Sequence, residues 1–209
     1  MIYKIFRKDA QLSTSAITVP KQGVLADIFS DSLVKNIALV VGYAGFIGLF
    51  AQISFHLSFT PVPITGQTFA VLLGAASIGW ARASLGSLLY AVAGVAGVPW
   101  FAGGTSGWHV AVGASFGYIV SYLLCSAAVG LLAKKGLDRN FFGTAFIMAI
   151  GTIIIYAIGV TWLAFDIHVS AGKAIALGMT PFLPGDLFKL ILAAIILPVT
   201  WQAVKRFAD

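Results

Sequence analysis

Beyond residue 32 the chain consists of long, uninterrupted apolar runs of helix length, in place of the short amphipathic segments of a soluble domain. A window of roughly 19 residues finds them near 33–54, 66–80, 83–100, 109–133, 141–165 and 183–204. The pattern predicts an all-α, polytopic membrane protein whose six transmembrane helices form one membrane domain over 33–205. The polar breaks predict its orientation. Lys35, Arg82, the group Lys134, Lys135 and Arg139, and the pair Lys205 and Arg206 fall at alternate ends of the runs. They share a side with Lys4, Arg7, Lys8 and Lys21 of the first segment, whereas the opposite loops near 55–65, 101–108 and 166–180 carry Lys173 as their one Lys or Arg. Both termini are therefore expected in the cytoplasm and the protein in the cytoplasmic membrane. Residues 1–32 have no apolar stretch ahead of a small-residue cleavage site, so they read as a cytoplasmic extension with an interfacial helix around Ile2 to Phe6.

Composition agrees: 59% of residues are hydrophobic, 10% are charged, and glutamate is absent. A soluble domain carries roughly a quarter charged residues. Mean hydropathy is +0.97. The net charge of +6 raises nucleic acid as a partner, but the basic residues are scattered singly and in pairs without interleaved aromatics, which argues against that class. Cys125 is the single cysteine and lies inside an apolar run, so neither an intrachain disulfide nor a cysteine metal cluster is possible.

Two runs are unusual. The second spans about 15 residues, roughly 22 Å of helix against the roughly 30 Å of a hydrocarbon core. The segment before it, Thr60-Pro61-Val62-Pro63-Ile64-Thr65, is therefore expected to dip into the protein as irregular backbone lining a cavity; a plain surface turn is the alternative. In the first run, Ala38 with Gly42 and Ala44 with Gly48 place small residues four apart, a spacing that lets another helix approach closely. That neighbour is either a partner subunit or a helix of the same chain.

The strongest chemical signal is Leu183-Pro184-Gly185-Asp186-Leu187-Phe188-Lys189, which sets an acid and a base three apart inside an apolar run. Both fall on one helical face, where they can pair, and ionisable residues at such depth usually mark function. An ion pair that merely locks two helices is the plainer reading. Thr65-Gly66-Gln67 and Gly103-Gly104-Thr105-Ser106-Gly107 lie at the same external end and add hydroxyls, a carboxamide and backbone amides. His56, His109 and His168 sit at external boundaries without the spacing of a zinc site, and read as interfacial polar residues. No Gly-x-Ser-x-Gly or His-Glu-x-x-His pattern occurs, and Gly172-Lys173 is followed by Ala174, so no nucleotide-cradling motif is present either. No catalytic residue and no metal ligand is expected. ATP-driven transport would need another chain to bind the nucleotide.

Three separated motifs then stand in order: Phe59-Thr60-Pro61-Val62-Pro63-Ile64-Thr65-Gly66-Gln67-Thr68; Tyr90 with Gly97-Val98-Pro99-Trp100-Phe101-Ala102-Gly103-Gly104; and the Asp186 and Lys189 segment. Together they resemble BioY, the biotin-binding S-component of energy-coupling-factor (ECF) transporters, over roughly residues 35–205. The resemblance implies six membrane helices that capture biotin from outside under a lid formed by the first loop. It also implies a transmembrane coupling subunit and paired ATPases as partners, with the bilayer around them and no cofactor. By that likeness Asp186 accepts a ureido N–H and Lys189 donates to the ureido carbonyl, with Lys189 on the carboxylate as the reverse assignment. Thr65, Gln67, Tyr90 and the amides of Gly103 and Gly104 complete the polar set, and Trp100 and Phe101 form apolar walls. Ala44 and Gly48 become the coupling-subunit face, with Ala38 and Gly42 as the other register. The chain departs from many relatives at Gly113-Ala114-Ser115-Phe116-Gly117-Tyr118, where a Gly-Pro-Thr-Gly-Gly-Tyr stretch is usual. An S-component or carrier for another small vitamin is the alternative function.

Overall fold

Each long apolar run is mostly helix in the computed structural model, which describes residues 22–28 and 30–208; the expected helix around Ile2 to Phe6 lies outside the described residues. In chain order the elements are α1 (Leu33–Ala51), β1 (Ser54–Phe55), β2 (Ile64–Thr65), α2 (Gln67–Ile78), α3 (Trp80–Val95), α4 (Trp108–Ala111), α5 (Phe116–Lys134), α6 (Phe141–Asp166), α7 (Ala171–Gly178) and α8 (Leu183–Ala208). Side-chain caps fix several starts. Ser32 Oγ accepts the Lys35 N–H at 3.1 Å ahead of α1, and Asn140 Oδ1 accepts the Gly143 N–H at 2.8 Å ahead of α6. Among the described residues, four stretches are long and apolar enough to cross a membrane: α1, α5, α6, and the continuous segment Ala171–Phe207.

Differences from the sequence pattern lie mostly at one end of the bundle. The third run stops as helix at Val95, and the fourth is broken into α4 and α5 around Gly113. The expected 166–180 loop contains α7, capped by Ser170. Ahead of α2, β1 and β2 pair antiparallel with Ser54 opposite Thr65, and Thr60 and Val62 between them are buried. These small strands are the exception to the all-helical expectation.

Packing explains the glycines that matter most. A single residue, Gly79, separates α2 from α3, and its φ of +85 is one that side-chain-bearing residues rarely adopt. This corner presses on α5 at Gly130, where a Cβ would stand 2.3 Å from Trp80 N. α5 is thus central and packs against α2, α3 and α6, while α8 packs on α6. The Tyr43 ring from α1 fills a slot bounded by Gly74 and Gly86, and its hydroxyl donates to Val71 O at 2.9 Å. Ser126 and Ser87 continue that bonded group, so these buried hydroxyls are satisfied.

The outer surface carries many large apolar side chains, with Ile37, Val41 and Leu49 on α1, Phe142 and Ile153 on α6, and Ile195 and Val199 on α8 all exposed. That is a surface for lipid. α1 also decides which small residues face outward. Ala44 is fully buried, and a Cβ at Gly48 would stand 3.1 Å from Trp100 Cβ, so this pair, expected at a docking face, packs against the chain's own residues. Ala38, Gly42 and Gly45 lie on the exposed side, with open space at both glycines.

Residues 22–28, which the sequence pattern sets apart from the membrane domain, are built into one end of it. Val24 and Ala26 are buried, and Gly23 N donates to Lys134 O at 3.0 Å. Arg82 reaches Asp27 at 2.8 Å and Asn36 at 2.7 Å. Lys35, Arg82, Lys134 and Arg139 therefore gather at one end of the bundle.

Candidate ligand-binding site

At the opposite end, the turn Thr180–Phe182 leads into α8, whose first turn carries Asp186. The backbone dipole favours a carboxylate there. Lys189 lies one turn further, with Nζ 2.8 Å from Asp186 Oδ1, and the two side chains are only 10% (Asp186) and 18% (Lys189) exposed. Buried charges need partners beyond each other. The start of α2 supplies them: Lys189 Nζ donates to Thr65 O at 2.8 Å and to Thr68 Oγ1 at 2.9 Å, and Thr68 Oγ1 donates to Asp186 Oδ1 at 3.2 Å. Tyr156 of α6 donates its hydroxyl to Asp186 Oδ2. Each of the three ammonium protons has an acceptor, and both carboxylate oxygens are bonded.

Gln67 extends this floor. Its buried Oε1 accepts from Thr65 Oγ1 at 3.0 Å and from Tyr122 at 3.3 Å, while Nε2 donates to the Tyr90 hydroxyl. Above the floor lies a cavity of about 270 Å³, walled by Val62, Phe101, Ile119, Ile155 and Phe182. An enclosed apolar wall over a few fixed polar groups suits one small molecule. Two larger hollows, of about 640 and 670 Å³, lie elsewhere: one beside α1 and α3 at the basic end, where Asp27, Asn36 and Arg82 line it, and one beside α3 and α5 with an almost wholly apolar lining.

A sequence model described as the BioY family matches residues 18–206. The chain belongs to the BioY family. The match begins within the segment 1–32 that the hydropathy pattern sets apart, in keeping with the packing of residues 22–28. The chain is 38% identical over 136 residues to "Biotin transporter BioY" of Thermotoga maritima, an alignment covering 65% of this chain and 79% of that protein. It is 34% identical over 162 residues to "Probable biotin transporter BioY" of Pyrococcus horikoshii, covering 78% and 93%. The crystal structure of the S-component for biotin from an ECF-type ABC transporter superposes with a TM-score of 0.75 at 23% identity, covering 83% of this chain and 95% of that one. This is a membrane protein with the S-component fold.

Within this BioY fold the cavity brings together Thr65, Gln67, Phe101, Asp186 and Lys189. Four other expected contact residues stand off its wall. Tyr90 lies behind Gln67 and donates to Trp100 O at 3.3 Å; Trp100 Nε1 donates back to Tyr90 O at 3.0 Å. Gly103 and Gly104, with φ of 68 and 73, shape the exposed turn Ala102–Gly104 that follows Phe101, and the Gly104 N–H is already given to Phe101 O at 3.0 Å. Their neighbours Ala102 and Thr105 line the cavity, whereas the two glycines do not.

Sequence reasoning missed Thr68, Tyr118, Tyr122 and Tyr156, and it read His56 and His109 as interfacial, whereas all six line the cavity. Tyr118 and Tyr122 were legible as polar tips one turn apart on α5. Tyr156, alone in an apolar helix, carried only the signal that a buried hydroxyl needs a partner. Gly113 and Ser115 are also part of the wall. Among the described residues, no three His, Cys, Asp or Glu side chains lie together as a metal site.

Proposed function

We propose that this chain is the biotin-capturing S-component of an ATP-driven ECF-type importer in the cytoplasmic membrane. The observation that carries the reading is the fully bonded Asp186, Lys189, Thr68 and Tyr156 group under a small apolar-walled cavity, in a family whose relatives are named biotin transporters. The ureido ring offers two N–H donors beside one carbonyl, which matches a carboxylate beside an ammonium. Asp186 accepts a ureido N–H, Lys189 donates to the carbonyl in place of Thr65 O or Thr68 Oγ1, and the apolar fused ring rests on Phe101 and Ile119. The chain itself catalyses nothing; nucleotide hydrolysis falls to partner ATPases.

The same reading makes 33–205 a six-crossing membrane domain with both termini in the cytoplasm. The gathered basic end is the cytoplasmic one, as positive residues are retained inside, and the cavity opens to the outside. α2 and α3 then cross as short helices, roughly 18 and 24 Å long, with the tucked β1–β2 segment completing the path of α2. The exposed Ala38, Gly42 and Gly45 stripe of α1 receives the coupling subunit, because small residues let a partner backbone approach where lipid gives no hydrophobic drive.

Titration of the purified chain with radiolabelled biotin tests the substrate, and Asp186→Asn is expected to cost about 1.5–3 kcal/mol of affinity. Absence of biotin binding, with binding of another vitamin, would replace the substrate. Unchanged affinity in the variant would remove Asp186 from the site. Ala38→Leu with Gly42→Leu is expected to leave binding intact while abolishing co-purification with a coupling subunit; retained co-purification would move the docking face elsewhere.

A further inference from the structure

Asp186 and Lys189 form a group with no net charge, in which Thr65 O, Thr68 Oγ1 and Asp186 Oδ1 accept the three ammonium protons, so that a ligand oxygen reaches Lys189 only in place of one of them. An anionic end of a ligand brought there would face the Asp186 carboxylate at low dielectric as closely as it faced Lys189. The tyrosine hydroxyls and the Gln67 amide of the inner wall are engaged as well. Tyr118 donates to Gly178 O at 2.7 Å, Tyr122 to Gln67, and the Gln67 amide to Tyr90. Thr105, nearer the opening, gives its proton to Ala102 O at 3.0 Å.

Three cavity-lining side chains differ: the neutral hydroxyl of Ser115, at the start of α5, and two histidines. His56, from the loop between β1 and β2, and His109, from α4, both line the cavity, both are exposed, and neither has a hydrogen-bond partner among the described residues. They come from separate segments and stand at the solvent side of a cavity whose floor is buried. An imidazole presents at least one N–H in either protonation state. We infer that His56 and His109 hold the ligand's carboxylate at the cavity mouth, so that the site reads an uncharged polar end at its floor and an anionic end at its rim. This rests on biotin as the ligand, and it fixes the direction in which biotin lies: ureido ring inward, carboxylate outward.

The test titrates the full-length chain with biotin and with biotinamide, its neutral carboxamide, in the unaltered protein and in His56→Ala and His109→Ala variants. Loss of a hydrogen bond to a charged group is expected to weaken biotin about tenfold in at least one variant and to leave biotinamide within about twofold, so the preference for biotin collapses. Retained biotinamide binding reports that the variant is folded, and His→Gln, which keeps an N–H, is expected to restore part of the preference. A biotin-to-biotinamide ratio unchanged in both variants overturns the inference while leaving the functional reading standing, as does equal weakening of the two ligands. Failure of the unaltered chain to bind biotin at all overturns both.

Discussion

The two ends of the bundle each bury a carboxylate, and they treat it in opposite ways. Asp186 has both oxygens bonded and a cation 2.8 Å away. Asp138, in the turn between α5 and α6, is fully buried with Trp201 Nε1 donating to Oδ2 at 2.6 Å, but its Oδ1 has no partner among the described residues. The nearby Arg139 guanidinium stacks on the Trp201 ring at 4.4 Å instead of closing an ion pair with the carboxylate. Burial consequently pushes the Asp138 carboxyl up to about 6 from its ordinary 3.8, against the lowering pull of Trp201, its own amide and Arg139. A charge at the ligand end is held ready by a complete set of partners, while the charge at the basic end is tolerated at a cost. The lesson is that burial alone does not mark a binding site; saturation of the buried group by residues from several helices around a cavity does.

Lys189→Met would break the contrast most sharply. It leaves Asp186 without its cation, a change expected to cost about 3–5 kcal/mol, seen as loss of measurable biotin binding together with a lower melting temperature in detergent. Binding within tenfold of the unaltered chain would show that Thr68 and Tyr156 suffice to hold the carboxylate.

Asp138 gives the next largest effect. With its pKa raised in the folded state, stability is greatest where the group is protonated and is lost as pH rises through about 6. The shift from 3.8 to about 6 corresponds to at most about 3 kcal/mol between pH 3.8 and neutrality. Melting temperature is therefore expected to rise as pH is lowered from 7.5 to 5.5, and Asp138→Asn is expected to flatten that profile without altering biotin affinity at pH 7.5. A profile of the same slope in the variant would assign the pH dependence to other groups.

The smallest effect concerns the loop over the cavity. Thr60 Oγ1 donates to Leu177 O at 2.9 Å and accepts from Val62 N at 3.2 Å, tying the segment between β1 and β2 to α7. Thr60→Val removes both bonds at a cost of about 1 kcal/mol, and biotin release measured by ligand chase is expected to quicken about fivefold. An unchanged release rate would mean that this tie does not limit opening.

Much of this was legible in the sequence, for definite physical reasons. Apolar runs of helix length located the long helices because lipid tolerates no exposed backbone polarity, and a spacing of three put Asp186 and Lys189 on one face whatever the rest of the chain did. The basic breaks foretold which residues would gather at one end. What the sequence left undecided was rotation. A helix that meets packed protein on one side and lipid on the other is apolar all round, so its pattern carries no amphipathic signal of which face turns inward. Hence Ala44/Gly48 and Ala38/Gly42 were indistinguishable until α1 packed Tyr43 into the slot between Gly74 and Gly86, turning the first pair in and the second out. For the same reason Tyr156, 30 residues from Asp186 along the chain, and His56 and His109 on separate segments, met around one cavity only through the docking of α2, α5, α6 and α8. Local spacing determined the ion pair and the helices; the partners and the cavity that make the pair a binding site came from long-range packing, which no local pattern encodes.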